Sequence, residues 1–323
     1  YDGVNNQVFI VEKTKDPVDI KTIIEWVKSD NQATKVRVSA EEILDIIPSR
    51  TIRIPVDSAR VIASGTVKPE DADKIVPYID ITLTGNSILK SQLMVLDILA
   101  HNEWERPIYF VSGYHADAMG LEEYFQLEGI AFRLVPIRSE NNSWVDYGRV
   151  ETDILYENLM NKFVWGGAAD EDVNLDYNHR RTLIVIKARL SYARLAKALA
   201  SEGKFEKAAE VLDRCMEVMP LERVPYDPYV PDLIEAYFMA GMKEKALEMS
   251  GDLSSYYFDR LDYFLKQTPY LVASAAYEIQ TAIQYTSKVA NFCLLNGEKE
   301  VADEITARIE SYYARYAGKS QAN

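Results

Sequence analysis

The spacing of apolar and polar residues changes its period once along this chain, near residue 180. Before that point short apolar runs alternate with helical stripes. Beyond it the apolar residues recur at helical spacing throughout. Residues 7–11 form a short apolar run that predicts a buried strand. Asp16-Pro17 then predicts the opening of a helix with Ile20, Ile23, Ile24 and Val27 on one face. Residues 35–38 alternate as a strand does. Ser39 is the expected cap of a short helix over residues 40–47, with Glu42 at the capping-box position. Residues 51–56 alternate again, and Pro55 points them to a sheet edge or strand end. Residues 69–73 carry the proline and acid bias of a helix start. Residues 79–83 predict a strand. Asn86 or Ser87 then caps a helix bearing Leu89, Leu93, Leu96 and Ala100. Residues 107–111 predict another strand, followed by a loop through Gly113 and Gly120. A short helix over 121–125 and a last strand over 130–137 complete this half. Strands alternating with helices imply an α/β layer structure with a mixed sheet.

Residues 138–151 are polar and irregular and predict a surface loop. Residues 153–163 predict a helix with Leu155, Leu159 and Met160 inward, stopped by Trp165-Gly166-Gly167, where Gly166 suits a left-handed helix end. Residues 168–178 are acidic and loop-like. The stretch from Arg189 to Pro220 then matches the spacing of a tetratricopeptide unit. Tyr192 and Leu195 fall on the first helix, Ala196 at the crossing, Gly203 in the turn, Ala208 on the second helix, and Pro220 closes the unit. A second copy centres on Leu233, Tyr237, Gly241 and Ala246. A weaker third has Val289, Ala290, Gly297 and Ala302. Small residues let paired helices approach and stacking buries what one pair cannot. The second and third copies are irregularly spaced, and residues 254–265 read as a tyrosine-rich helix between them. The expected architecture is an α/β domain over 1–150, with a mixed sheet and flanking helices. A helix and linker over 151–179 follow, then a tetratricopeptide-like α-helical domain over 180–323.

Composition narrows the function. With 323 residues and 48% hydrophobic content, the chain is long enough for two cores. A net charge of −14 opposes nucleic acid and anionic membrane surfaces. No apolar run approaches the roughly 20 residues that span a bilayer, and no signal peptide is visible. The start at Tyr1-Asp2-Gly3, without methionine, suggests a processed chain or a segment of a longer one. Cys215 and Cys293 sit among apolar helical residues and read as buried free thiols, with a disulfide between them as the other possibility.

No stretch declares a catalytic centre. Asp71-Ala72-Asp73 resembles the paired acids that hold a divalent metal, but acids at a helix start are favoured by the dipole anyway. The histidines are His101, His115 and His179, and none has a ligand-spaced partner histidine. His115 and Asp117 can offer two metal ligands on a loop, although such a pair more often belongs to the polar surface. Glu122, Glu123 and Glu128 near Arg133 can form a paired-carboxylate site. The plainer reading makes Glu122 and Glu123 a solvated face and Glu128 an ion-pair partner. There is no phosphate-cradling glycine loop and no nucleophile elbow. The chain has 21 tyrosines. Tyr256, Tyr257, Tyr263, Tyr270, Tyr277 and Tyr285 crowd the helical half, where they suit half-buried seams better than a ligand groove.

Several stretches resemble a bacterial family. The most specific are Arg106-Pro107-Ile108-Tyr109-Phe110, Glu123-Tyr124-Phe125-Gln126-Leu127-Glu128-Gly129 and Asn158-Leu159-Met160-Asn161-Lys162-Phe163. The family is a set of multi-pass membrane proteins of unknown function, distantly similar to the protein O-mannosyltransferases of the membrane-embedded GT-C glycosyltransferase superfamily. In it, a block of transmembrane helices with the presumed catalytic acid precedes a carboxy-terminal region on the periplasmic side of the inner membrane. The chain resembles that region over essentially its whole length. The resemblance implies an accessory binding role beside the protein's own transmembrane block, with acceptor protein or a partner peptide held by the helical repeats. It maps no catalytic residue onto this chain, and no metal or cofactor is expected. The residues expected to bind are Tyr124, Gln126, Glu128 and Arg133, with Tyr192 and Tyr237 on the repeats. The alternative is a stand-alone enzyme around Glu122, Glu128 and Arg133.

Overall fold

The computed structural model describes residues 6–37, 43–111, 118–139 and 147–320. It divides into two compact units, Tyr1–Glu151 and Thr152–Asn323. The first carries short strands. They are β1 (Gln7–Ile10), β2 (Val18–Asp19), β3 (Lys35–Arg37), β4 (Ile43–Ile47), β5 (Thr51–Pro55) and β6 (Tyr78–Thr82). Then come β7 (Ser87–Leu89), β8 (Tyr109–Phe110), β9 (Phe125–Leu127), β10 (Phe132–Leu134) and β11 (Arg149–Val150). Among the described residues its α-helices are α1 (Ile20–Lys28), α2 (Ser58–Ala63) and α3 (Lys90–Asn102). The strands form three mixed sheets, ordered β3-β4-β1-β7, β2-β5-β6 and β11-β9-β10-β8. In the first, β1 runs parallel to β4 and antiparallel to β7.

Helix α1 buries Ile20, Ile23 and Ile24 against α3, β4 and β5. The expected apolar stripe is present, but the helix begins at Ile20 rather than at Asp16-Pro17. Asp19 caps it by accepting from the N–H of Lys21 at 2.9 Å, while Val18–Asp19 pairs with β5. Ile46, Ile47, Ile52, Ile79 and Ile81 are fully buried around it.

The helix expected over residues 40–47 is overturned where it is described: residues 43–47 are strand β4. Pairing with β1 on one side and β3 on the other satisfies its backbone, and the buried Ile46 and Ile47 suit a strand covered on both faces. Val38, Ser39 and Glu42 lie outside the described residues. Three further boundaries move. Leu89 lies in β7 instead of on α3. The helix expected over 121–125 is one turn of 3-10 helix, Glu122–Tyr124, running directly into β9. The loop expected over 138–151 ends in β11, which pairs parallel with β9. Gly113 and residues 140–146 of those loops fall outside the described residues.

The second unit is helical. Thr152–Glu157 continues into a π-helical turn, Asn158–Lys162, which ends before Gly166 and Gly167; both glycines take positive φ in the turns that follow. Tyr177–Val185 precedes three hairpins: Ala188–Ser201 with Phe205–Val218, Val230–Met239 with Lys243–Leu265, and Ala276–Leu295 with Lys299–Ser320. A short helix, Pro269–Ser274, stands before the third. Gly203, Gly241 and Gly297 turn the hairpins at φ +76°, +76° and +84°, a conformation that side chains with a Cβ resist. Five residues after each glycine, Ala208, Ala246 and Ala302 are buried at the helix crossings. The tyrosine-rich segment 254–265 is not a separate helix; it is the distal half of Lys243–Leu265.

Behind the first hairpin Arg189 is 1% exposed. Its guanidinium donates to Asp227 Oδ2 at 2.8 Å, to the Pro225 and Met219 carbonyls at 2.9 Å each, and to the Val224 carbonyl. One cation thereby gathers the loop joining the first two hairpins.

Candidate functional site

The sheet β11-β9-β10-β8 is built on the stretch with the most specific resemblance. Its register sets Tyr109, Arg133, Gln126 and Arg149 in one row across four strands, and Phe110, Phe132, Leu127 and Val150 in the next. Successive residues of a strand face opposite sides, so the first row is polar and the second apolar. On the apolar side Phe110 meets Phe125 at 4.8 Å between ring centroids, and Phe132 meets Tyr147 at 4.8 Å. Gly148 closes this side. At φ +77° an added Cβ would lie 2.5 Å from the Phe125 carbonyl oxygen.

The polar side is buried at its centre, while Arg133 and Arg149 are half-buried and Tyr109 lies at the exposed edge. Glu128 is 8% exposed and Gln126 4%. Gln126 Nε2 donates to Glu128 Oε1 at 2.7 Å, and the Tyr109 hydroxyl donates to Glu128 Oε2 at 2.5 Å. Arg133 stands 3.7 Å from Glu128 Oε1 and donates to Thr66 Oγ1 at 3.3 Å. Among the described residues its Nε has no hydrogen-bond partner. Burial, then the bond to Glu128, pushes the Tyr109 hydroxyl up to about 12. The segment over this face adds its own pairs: Asp71 with Lys74 at 2.6 Å and with Arg149 at 2.9 Å, and Lys68 with Glu151 at 2.5 Å. Lys74 first, and Arg149 with it, hold the Asp71 carboxyl below its ordinary range.

The expected residues therefore divide. Gln126, Glu128 and Arg133 come together, joined by Tyr109 and Thr66, which the sequence reading did not select. The alternation of Tyr109 with Phe110 was the available signal. Tyr124 is not part of the cluster. It lies in the turn before β9, buried, and its neighbouring charges are Arg138, Glu123 and Asp80. Glu123 pairs with Arg138 at 2.8 Å. Asp71 is tied to cations while Asp73 is exposed, which fits the plain reading of that acidic pair. His101 and His179 are exposed and sit beside Asp97 and Asp176; His115 and Asp117 lie outside the described residues. Among the described residues no group of three or more His, Cys, Asp or Glu is placed to hold a metal ion.

Residues 1–154 match the family model described as TMEM260-associated domain 2. The match takes in the first unit and every member of the polar row. It leaves Tyr192, Tyr237 and the hairpins outside. The matched family is membrane-protein-associated. No helix among the described residues is long and apolar enough to cross a membrane. No curated protein and no solved structure matches the chain.

On the hairpins the two chosen tyrosines differ. Tyr192 is fully buried, accepts from Trp165 Nε1 at 2.9 Å and donates to the Leu159 carbonyl at 3.1 Å, so its hydroxyl is filled from within. Tyr237 is 2% exposed, yet no group in the described structure bonds its hydroxyl. It lines a surface groove of about 540 Å³ between the second helices of the first two hairpins. The groove carries Asp213, Glu217, Glu248 and Asp252 on its walls, Lys245 as its one cation among the described residues, and Met216 and Met249 among its apolar atoms. Asp213 pairs with Lys245 at 2.5 Å, and Glu217 with Arg214 at 2.7 Å. Tyr226, Tyr256, Tyr257 and Tyr285 form a separate run of ring contacts at 4.7–5.6 Å, while Tyr263, Tyr270 and Tyr277 are exposed. Cys215 and Cys293 are free and buried.

Proposed function

We propose that this chain is the extracytoplasmic accessory part of a membrane-embedded, glycosyltransferase-like protein, binding acceptor polypeptide or a partner protein and transferring no sugar by itself. The observation that carries the proposal is the match of residues 1–154 to a membrane-protein-associated domain. Three features support it. The stretches 106–110, 123–129 and 158–163 resemble proteins related to O-mannosyltransferases, in which a transmembrane block carries the catalytic acid. Three glycine-turned hairpins with alanine crossings suit a tetratricopeptide-like array, whose exposed helix faces bind polypeptide. Glu128, the best-placed carboxylate of the first unit, has bonds from Gln126 and Tyr109 on its two oxygens, which favours a structural role over acid–base chemistry. The proposed location is the periplasmic side of the bacterial inner membrane.

The test has two arms. Photo-crosslinking residues on exposed hairpin positions should capture polypeptides that carry O-linked hexose in the native cell. The purified chain, given a polyprenyl-phosphate-linked sugar and those polypeptides, should leave the sugar untransferred. Unaided transfer, or crosslinks that capture no polypeptide at all, sinks the proposal; captured proteins without O-linked sugar select the partner protein over the acceptor.

A further inference from the structure

The Tyr237 groove has a composition that selects its occupant. Four residues before the turn glycine, the first and third hairpins place Leu199 and Cys293, both buried. The second hairpin places Tyr237 there, adding a hydroxyl that no neighbour bonds. The ring is buried while the hydroxyl opens on the groove, where water bonds it until a ligand group takes that place. Glu248 and Asp252 stand one helical turn apart on the same wall, exposed and outside any ion pair in the described structure. Asp213 and Glu217 complete the acidic walls but are already paired with Lys245 and Arg214, which leaves Glu248 and Asp252 as the carboxylates open to a ligand cation. Met216 and Met249 supply adaptable apolar contact that suits a flexible alkyl stem. A volume of about 540 Å³ accommodates one or two long side chains.

We propose that this groove binds a basic segment of the partner polypeptide, taking a lysine or arginine side chain with its stem along Met216 and Met249, its cation between Glu248 and Asp252, and a donor of the segment on the Tyr237 oxygen. The inference rests on the polypeptide-binding role proposed above and assigns that role a place and a charge. It also gives the net charge of −14 a local use, because the groove attracts cationic chains over a Debye length of roughly 10 Å.

The probe is an acetylated, amidated hexapeptide alternating leucine and lysine, labelled for fluorescence anisotropy and titrated with the full chain at low salt. The wild type should bind it and should not bind the leucine–glutamate counterpart. Tyr237→Phe, which keeps the ring, should weaken binding about fivefold to tenfold while melting no lower than wild type. Glu248→Gln with Asp252→Asn should weaken it about tenfold or more. Glu300→Gln with Glu304→Gln, an equal charge loss on exposed third-hairpin positions, should leave it unchanged. The inference is overturned if the lysine peptide fails to bind, if the two double variants lose equally, or if Tyr237→Phe binds as wild type. Should the hairpin crosslinks still capture O-hexosylated polypeptides in that event, only the groove assignment falls and the accessory role stands.

Discussion

Arg189→Met removes the cation that gathers the loop between the first and second hairpins while roughly keeping side-chain volume. Two costs follow. Asp227, 4% exposed, loses its counter-charge, and breaking one partner of a buried pair costs about 3–5 kcal/mol. The carbonyls of Met219, Val224 and Pro225 lose a shared donor, at about 1 kcal/mol each for whatever water does not reach. The two terms overlap, so the expected loss is about 5 kcal/mol, comparable with the whole stability of a marginal domain. The assay is urea unfolding of the full chain followed by circular dichroism, reading the helical transition. Its pH dependence supplies a second check. Burial pushes the Asp227 carboxyl up, and Arg189 opposes that push. Without Arg189 the folded carboxyl rises further above its unfolded value. A folded state that binds the proton more tightly than the unfolded state gains stability as pH falls. The variant should therefore recover part of its loss on acidification, over the window between the unfolded and folded Asp227 values. Adding Asp227→Asn should recover the charge part at neutral pH and leave the carbonyl part missing. A loss below about 1 kcal/mol, or a double variant no more stable than the single at neutral pH, would refute the account of Arg189 as a charge-and-carbonyl pin.

Four other outcomes follow. Gly148→Ala should cost the first unit about 2–4 kcal/mol in thermal unfolding, since its Cβ would meet the Phe125 carbonyl at 2.5 Å in a strained backbone region. Gly241→Ala, where an added Cβ meets nothing within 4 Å, should cost only about 1 kcal/mol, from positive φ alone. The Tyr109 hydroxyl, raised to about 12, should make the first unit lose stability as pH climbs from the unfolded tyrosine value towards about 12; Tyr109→Phe should flatten that part of the alkaline slope. Burial likewise pushes the Cys215 thiol up to about 12, so a thiol reagent at mildly alkaline pH should label it at the rate of unfolding and far more slowly than a free peptide thiol.

Periodicity revealed the helical half well because each hairpin is a local object. A stripe, a glycine and an alanine at fixed spacing suffice, and Gly203, Gly241 and Gly297 fall in the turns where spacing put them. The strand-bearing half was legible only in part. Residues 43–47 carry a serviceable helix pattern, and their strand conformation comes from pairing with β1, whose partner residues lie more than thirty positions away in the chain. No local signal contains that pairing. The same limit hid β11, a two-residue strand made by its register with β9. Arg189 was visible merely as the start of a repeat. Its burial depends on Asp227 and the loop carbonyls closing over it, which is tertiary information.

The candidate residues show why polarity in an apolar context is an incomplete guide to function. Gln126 and Glu128 stand out as polar groups of the central stretch, and Tyr192 and Tyr237 by their places on the repeats. What separates them is hydrogen-bond accounting, because a buried polar group must find partners somewhere. Gln126, Glu128 and Tyr192 find theirs inside the fold. Spending them on a ligand would mean breaking the sheet face or the Trp165–Tyr192–Leu159 link first. Tyr237 has a fully packed ring and an unfilled hydroxyl at the edge of an acidic groove. A ligand there displaces only solvent and breaks no bond within the fold. By this criterion the position to test first lies in the hairpins rather than in the strand-bearing unit that family similarity covers.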